Sequence, residues 1–357
     1  MRNTYYSTRI THEVLLMKLS QIESQETAVR TLRGSIQRAS VAHAYLFAGP
    51  RNCGKTTTAM AFAAALNCAN RTPDGDACGE CPSCLRISAG SDADVRLISP
   101  DGNQTKIDQM QEMIKNLNFA PLSGRFKVFI IEQADTLNSS SENCILKILE
   151  EPPSYGVLIL LSRNPNHLLP TIRSRCRLVR FRRASTAEVQ SVLSKRIDLP
   201  EDQLQVIAAC SQGTIGRALN LASDTDFMEE RQFVFQALID WAGGDSILGL
   251  RTAELLRTEA KPGKNEPKTL VGNLTGMLDH ILSWYADLLS LNVRGTGAPV
   301  TNVDYLDNLE MLAERYSTSR LQEAIRSIMS TRRYLEGNIT PQLALENMFF
   351  TLRPDVY

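Results

Sequence analysis

The amino-acid sequence predicts an α/β domain with a parallel sheet covered by helices on both faces, followed by a small helical unit and a longer helical region. Three observations support this fold class. Short apolar segments alternate with amphipathic segments from about residue 25 to 183. One apolar segment runs directly into GPRNCGKT (49–56), a glycine-rich pattern that joins a strand to a helix. After Arg183 the strand pattern disappears and helical spacing takes over.

Five strand-like segments define the predicted sheet. The stretches between them carry apolar residues at helical spacing, as in Ile107, Met110, Ile114 and Leu117. Strands that alternate with helices form parallel sheets, because each connecting helix crosses one face of the sheet. The five segments are HAYLFAG (43–49), DVRLISP (94–100), KVFIIEQA (127–134), YGVLILLS (155–162) and RLVRFR (177–182).

The rest of the chain is predicted to be helical. Residues 184–225 form a small unit in which SQGTIGRALNLAS (211–223) is a turn leading into a helix. Residues 226–357 form a second helical domain with breaks at 242–245, 261–268 and 294–299. Its last helix is expected to start with Thr340 as cap and Pro341 in the first turn. Residues 1–24 are expected to be an extension, with Met17 as an alternative start.

Composition limits the classes of function. Lys and Arg total 39 and so do Asp and Glu, so net charge gives no argument for nucleic-acid binding and only local clusters can. One cluster, residues 163–183, contains seven arginines and no acid, and it could follow DNA phosphates or form a subunit interface.

No apolar run is long enough to cross a bilayer, and the first 20 residues lack the features of a signal peptide. We therefore expect a soluble, cytoplasmic protein.

Residues 49–56 fit the phosphate-loop pattern G-x-x-x-x-G-K-[ST]. Backbone N–H groups and the helix dipole would surround the β-phosphate, Lys55 would reach the β and γ oxygens, and Thr56 would bind magnesium. Cys53 stands where a glycine is often found, and crowding there is expected to lower the affinity. The expected ligands are ATP or ADP with Mg²⁺. The predicted binding residues of the loop are Gly49, Gly54, Lys55, Thr56 and Thr57.

A second motif concerns hydrolysis. In sheets of this kind a neighbouring strand ends in an acid that organises magnesium, often followed by a glutamate that activates water. Here the strand KVFII is followed by Glu132 and Gln133. Glu132 can hold magnesium through water, whereas the amide of Gln133 cannot accept a proton. We expect nucleotide binding with slow or absent hydrolysis; the alternative is that Glu132 only caps its strand.

Four of the eight cysteines form a cluster with the spacing C-x9-C-x2-C-x2-C. Four thiolates suit tetrahedral zinc, and no nearby histidine suggests an open catalytic position. The sequence therefore predicts a structural zinc module at 68–84, with a redox pair or metal-free thiols as the alternative. Its ligands are Cys68, Cys78, Cys81 and Cys84, while Cys144, Cys176 and Cys210 are expected to be packing residues.

Several stretches carry a family likeness: the phosphate-loop segment 43–59, the cysteine spacing, NCILKILEEPP (143–153), LLSRNPNHLLPTIRSRC (160–176) and PQLALEN (341–347). Together they resemble the clamp-loader ATPase subunits of bacterial DNA polymerase III. The resemblance is dense from about 25 to 224 and looser beyond. It implies an AAA+ nucleotide-binding core at 25–183, a helical lid at 184–225, and a collar at 226–357 that closes a five-membered ring.

The resemblance also implies roles for single residues and partners. Arg175, in the sequence SRC, matches the arginine finger that acts on ATP bound to a neighbouring subunit. Ser162 matches the sensor-1 position and Arg217 the sensor-2 arginine of the lid. The implied partners are gamma/tau and delta subunits in a hetero-pentameric ring, the sliding clamp, and primed DNA reached through the assembled complex.

IIEQAD (130–135) is similar to the delta-prime type of subunit rather than to the gamma/tau motor, whose strand usually ends Asp-Glu. We therefore expect a non-motor ring subunit that helps to load the clamp in replication. The main alternative is a gamma/tau-type ATPase; a branch-migration motor and a nucleotide kinase fit less well. Any polymerase activity would belong to the holoenzyme, because nothing here resembles a polymerase's paired-aspartate metal site.

Overall fold

The computed structural model describes residues 18–100, 105, 107–242, 245–260, 270–335, 337 and 339–355. They fall into two compact units. The first contains the described residues up to Val192 together with Gly213–Arg217, and the second contains Leu193–Gln212 and the described residues from Ala218 onward. The alternative start at Met17, most of the predicted extension 1–24 and the predicted break at 261–268 lie outside the described residues. The domain boundaries at 24, 183 and 225 remain predictions.

The first unit is built on a five-stranded parallel sheet, as the sequence predicts. The strand order is β2-β3-β4-β1-β5, and the register aligns Ala48 of β1 with Ser162 of β4 and with Arg180 of β5. This register brings the carboxyl ends of β1, β4 and β5 to one edge, where the phosphate loop follows β1. The strands are β1 Ala44–Ala48, β2 Val95–Ile98, β3 Lys127–Ile131, β4 Gly156–Ser162 and β5 Arg177–Arg180.

Both faces of the sheet are covered by helices, and every residue of the central strands β1, β3 and β4 is therefore buried. Alternate residues of a strand point to opposite faces. Tyr45 and Phe47 therefore belong to the core cluster that includes the helix after the phosphate loop, and Ala44 and Leu46 belong to the cluster on the other face. The predicted fold class, an α/β core with a parallel sheet and helices on both faces followed by further helices, is confirmed.

Fifteen α-helices lie within the described residues. The predicted helix at Ile107–Leu117 is present, and the turn at 211–214 has Gln212 and Gly213 at positive φ (52° and 74°) before the next helix starts. The helices are α1 Glu26–Gln37, α2 Lys55–Asn67, α3 Pro82–Ser88, α4 Ile107–Leu117, α5 Ser139–Glu150, α6 Pro170–Arg175, α7 Thr186–Arg196, α8 Glu201–Cys210, α9 Ile215–Ala222, α10 Phe227–Trp241, α11 Ser246–Glu259, α12 Leu270–Arg294, α13 Leu306–Ala313, α14 Thr318–Leu335 and α15 Pro341–Thr351.

The second unit has its own helical core, in which Trp241 and Trp284 are buried. Its last helix starts at Pro341, but the side chain of Thr340 accepts no capping hydrogen bond, so Thr340 occupies the cap position without capping. None of the helices among the described residues has the length and apolar character needed to span a membrane.

Candidate functional site

The phosphate loop follows β1 and requires glycine at two positions. A Cβ atom on Gly49 would lie 2.6 Å from the carbonyl oxygen of Phe181, so no larger residue fits beside the end of β5. Gly54 has φ 89° at the start of α2, a conformation that favours glycine. The loop therefore has the tight backbone that phosphate binding by N–H groups requires.

Lys55 is folded back onto the loop. Its Nζ donates to the carbonyl oxygens of Gly49, at 2.8 Å, and Pro50, and it lies 3.8 Å from the Sγ of Cys53. Burial lowers the pKa of Lys55, and the nearby carboxylate of Asp135 opposes that shift. A bound phosphate would replace the two carbonyl contacts with a stronger, charge-assisted one.

Cys53, the departure from the glycine-rich pattern, is buried, and its Sγ donates to the carbonyl oxygen of Pro50 at 2.9 Å. Burial raises the pKa of the thiol, so it is neutral. The side chain is turned into the protein beneath the loop. The expected effect of this cysteine on affinity stays a prediction.

Thr56 and Glu132 are brought together across the sheet edge. The hydroxyl of Thr56 donates to one carboxylate oxygen of Glu132 at 2.8 Å, and the hydroxyl of Ser99 donates to the other at 2.8 Å. A hydroxyl and a carboxylate at this distance suit a magnesium ion held partly through water. Ser99 was missed by the sequence interpretation, because nothing in the pattern after β2 marks it.

Gln133 follows with φ 47° and ψ 46°, a left-handed conformation unusual for a residue with a side chain. Asp135, two residues on, has a side chain only 5% exposed. It accepts hydrogen bonds from the backbone N–H of Arg163, at 3.0 Å, and pairs with Nε of the same arginine at 3.4 Å. Neither Asp135 nor Arg163 was singled out for this site from the sequence.

Ser162 and the backbone beside Arg217 also lie next to the phosphate loop. Ser162 accepts the N–H of Gly49 through its carbonyl, while its buried Oγ makes no hydrogen bond within the described residues. A buried hydroxyl without a hydrogen-bond partner at this edge fits a site where a bound ligand would supply that partner. The N–H of Gly216 donates to the carbonyl of Asn52 at 3.0 Å, which brings the backbone of the adjacent Arg217 to the loop.

Arg175 lies at the end of α6, and its hydrogen bonds go to residues outside the phosphate loop. Its guanidinium donates to Glu150 at 3.1 Å and to the carbonyl of Thr171 at 3.2 Å. Both partners of the ion pair are partly exposed, at 37% for Arg175 and 56% for Glu150. An exposed arginine away from the chain's own loop is compatible with action on a neighbouring molecule.

Three of the seven arginines of residues 163–183 form ion pairs with acids elsewhere in the chain. Besides the pairs of Arg163 and Arg175, Arg182 pairs with Glu188 at 2.6 Å and with Glu26 at 3.4 Å. Internal pairing reduces the positive charge that this segment offers to DNA. The two interpretations of this segment, a DNA contact and a subunit interface, stay predictions.

The four cysteines of the predicted zinc module converge. Their sulfur atoms all lie within 4.8 Å of one another, with Cys68 and Cys81 at 3.9 Å and Cys78 and Cys84 at 4.0 Å. A regular tetrahedron with Zn–S bonds of about 2.3 Å has S–S edges of about 3.8 Å, so the residues fit zinc. Backbone N–H groups lower the pKa of Cys81 to about 6 despite its burial, which favours a thiolate, whereas burial raises the pKa of Cys68 and of Cys84. Other metals that prefer four thiolates would fit the same geometry.

Comparison with known proteins agrees with this geometry. Two family models match the chain: DNA polymerase III, delta subunit, over residues 24–185, and DNA polymerase III, delta subunit, C terminal, over residues 226–353. Between them they span both units. The chain therefore belongs to the DNA polymerase III clamp-loader family, and it is related to both the delta-prime and the gamma/tau subunits.

Individual relatives differ in their sequence identity to this chain and in how much of each chain is aligned. Subunit tau of Bacillus subtilis is 34% identical over 57% of this chain and 37% of its own length. Subunit delta' of the same organism is 24% identical over 93% of this chain and 97% of its own length. The chain spans 34% to 59% of the length of the tau and gamma/tau relatives. A solved gamma subunit-related protein from Thermotoga maritima is 18% identical, with a TM-score of 0.48 over 92% of this chain and 99% of its own.

Proposed function

We propose that this chain is a delta-prime-type subunit of the DNA polymerase III clamp loader, which helps to load the sliding clamp onto primed DNA. In this proposal it binds ATP or ADP at its own phosphate loop weakly or without hydrolysis. It gives Arg175 as an arginine finger to a neighbouring ATPase site. The observation that carries the proposal is Gln133, an amide at the position where a motor subunit has its water-activating glutamate.

The surrounding acids give no substitute for that glutamate. Both oxygens of Glu132 accept hydroxyl hydrogen bonds, from Thr56 and Ser99, and its place beside Thr56 suits magnesium. The side chain of Asp135 is only 5% exposed, so water has little access to its carboxylate. A carboxylate that already accepts a charged or polar donor on each oxygen is a poor base for water. The site can therefore hold nucleotide while turning it over slowly.

Arg175 suits the role of finger for physical reasons. A guanidinium stays charged and pairs through two N–H groups with phosphate oxygens, which stabilises the charge that develops during phosphoryl transfer. Its present partner, Glu150, forms a partly exposed ion pair that contributes little to stability, so the arginine can exchange partners at low cost. The zinc module is structural in this proposal, because four thiolates leave no open position for chemistry.

The partners follow from family membership. We propose that the chain assembles with gamma/tau and delta subunits in a hetero-pentameric ring, in the bacterial cytoplasm at the replisome, and that the ring engages clamp and primed DNA. Domain roles are part of this proposal: the core 25–183 binds nucleotide, residues 184–225 act as a lid, and 226–357 act as the collar that holds subunits together.

A gamma/tau-type motor is the second candidate. Its support is the higher identity to a tau relative, 34% against 24% for delta', and the intact set of Lys55, Thr56 and Glu132. In that case Gln133 is a tolerated replacement, and the chain hydrolyses ATP with Glu132 as the only acid at the strand end.

Nucleotide titration and phosphate release on the purified whole chain separate the two candidates. The delta-prime proposal expects saturable binding of ATP and ADP, loss of binding in Lys55→Ala, and phosphate release no faster than in that variant. Turnover on the order of 1 s⁻¹ or more, abolished by Lys55→Ala, would refute the non-motor assignment and support the motor.

A further inference from the structure

Arg163 begins the segment that leaves the sheet beside the phosphate loop. It follows Ser162, the last residue of β4, whose carbonyl oxygen accepts the N–H of Gly49 at 3.1 Å. The side chain of Arg163 is 45% exposed and lines a cavity of about 480 Å³ that Gly49 and Gln25 also line. A half-exposed cation therefore lies beside Gly49, the first residue of the loop in which Lys55 is the expected phosphate ligand.

Asp135 holds that cation in place. One carboxylate oxygen accepts the backbone N–H of Arg163 at 3.0 Å and the other pairs with its Nε at 3.4 Å. The two partners differ in environment, because the side chain of Asp135 is 5% exposed and that of Arg163 is 45% exposed. The carboxylate is thus fixed in the protein, whereas the outer part of the guanidinium can still make new contacts.

The charges of Asp135 and Arg163 both act on Lys55. Burial is the main cause of the lowered pKa of Lys55, but the charge of Asp135 raises that pKa and the charge of Arg163 lowers it. Two cations and one carboxylate therefore lie within reach of one another at the loop. The net charge of this trio is positive, and an arriving phosphate competes with Asp135 for the guanidinium.

We propose that Arg163 is a phosphate-binding residue of this chain's own nucleotide site, and that Asp135 is the counter-ion it leaves when nucleotide binds. The inference rests on the proposed binding of nucleotide at the phosphate loop and names a positioning pair for it. The guanidinium keeps its hydrogen-bonding geometry when it passes from a carboxylate to a phosphate oxygen. Because an existing ion pair must break, the affinity for nucleotide is lowered, in line with weak binding.

A double-mutant cycle with Mg-ADP and Mg-ATP as probes tests this exchange. Dissociation constants are measured by calorimetry for the whole wild-type chain, Arg163→Gln, Asp135→Asn and the double variant. Arg163→Gln is expected to weaken binding about tenfold, the loss of one charge-assisted contact. Asp135→Asn keeps the acceptor for the Arg163 N–H but frees the guanidinium, so binding is expected to tighten at least about threefold.

The decisive quantity is the coupling between the two substitutions. If Arg163 contacts phosphate, the gain from Asp135→Asn shrinks by a factor of about three or more in the Arg163→Gln background. If the gain is equal in both backgrounds, Asp135 acts only through its charge and the proposal is wrong. Wild-type affinity in Arg163→Gln overturns it as well.

Two controls keep the result interpretable. Arg177→Gln removes an arginine of β5 that does not line the cavity, and it should bind like wild type. Lys55→Ala reports on the proposed function itself: if it binds like wild type, the phosphate loop is not the nucleotide site. Failure of the Arg163 proposal alone leaves the Lys55→Ala defect intact. If neither the wild type nor Asp135→Asn binds nucleotide, both proposals are overturned.

Discussion

Zinc removal is the perturbation whose effect on the first unit can be worked out most fully. Cys68 directly follows α2, the helix that starts in the phosphate loop, and Cys84 lies in α3. Three of the four cysteines are at most 6% exposed and belong to the core cluster on that face of the sheet. A metal held by these thiolates therefore links the loop-bearing helix to α3 within a core.

The magnitude follows from mass action. A ligand that binds only the folded state at a thousand times its dissociation constant stabilises by about 4 kcal/mol. A unit of roughly 150–250 residues shifts its melting temperature by about 2–4 °C per kcal/mol. Stripping zinc should therefore lower the melting temperature of the first unit by about 8–16 °C.

The assay is calorimetry of the whole chain in a zinc buffer and after chelation, with native mass spectrometry to count metal. We expect one zinc per chain, lost on chelation and in Cys68→Ser. Cys144→Ser, outside the cluster and half-buried, should keep its zinc and its zinc-dependent shift. A chain that takes up no zinc from the buffer, or melts at the same temperature with and without it, contradicts the structural role.

Three further predictions concern stability and the ring. Asp94→Asn should cost about 3 kcal/mol at pH 7, because the buried carboxylate accepts three backbone N–H groups. Despite its burial, these bonds lower the pKa of Asp94, so its contribution, measured by urea unfolding, is present above about pH 4 and lost as pH falls further. Asp304→Asn should cost about 3 kcal/mol in the second unit, because Arg231 is 2% exposed and loses its charged partner. In a reconstituted ring, Arg175→Ala should lower ATP turnover at the neighbouring site about 10³-fold, whereas Glu150→Gln should change it less than about fivefold.

Each of these has a matched control or a contradicting result. Asp307→Asn, exposed in the second unit, should leave the free energy of unfolding within about 0.5 kcal/mol of wild type. A loss in Asp94→Asn that is the same at pH 7 and at pH 3 would contradict its assignment to a paired carboxylate. Unchanged ring turnover in Arg175→Ala would remove the finger from this chain.

The core of the first unit could be predicted because its signals are local. Strand segments such as VLILL (157–161) are apolar throughout, since a central parallel strand is buried on both faces. The glycine-rich loop marks the first strand-to-helix junction, and the arrangement of the four cysteines follows from their spacing. The side chain of Thr340 shows the limit: its position before Pro341 predicts the helix start, but not whether the hydroxyl makes a capping bond.

The contacts that complete the site could not be predicted, because they join residues far apart in the sequence. Asp135 and Arg163 are 28 residues apart, and Ser99 and Glu132 are 33 apart. No periodicity or motif links such pairs; only the strand order and register bring the ends of β2, β3 and β4 together. The pairing of Arg175 with Glu150 is of the same kind, since α5 and α6 are separated by β4.

The most direct test of the central claim is phosphate release by the purified chain, wild type beside Gln133→Glu, at saturating Mg-ATP. The account predicts that the wild type and Lys55→Ala release phosphate at the same rate. In Gln133→Glu the rate should rise about 10²-fold or more, because a proton acceptor is restored beside bound nucleotide. Fast release by the wild type, unchanged by Gln133→Glu and lost in Lys55→Ala, would contradict the account and make this chain a motor.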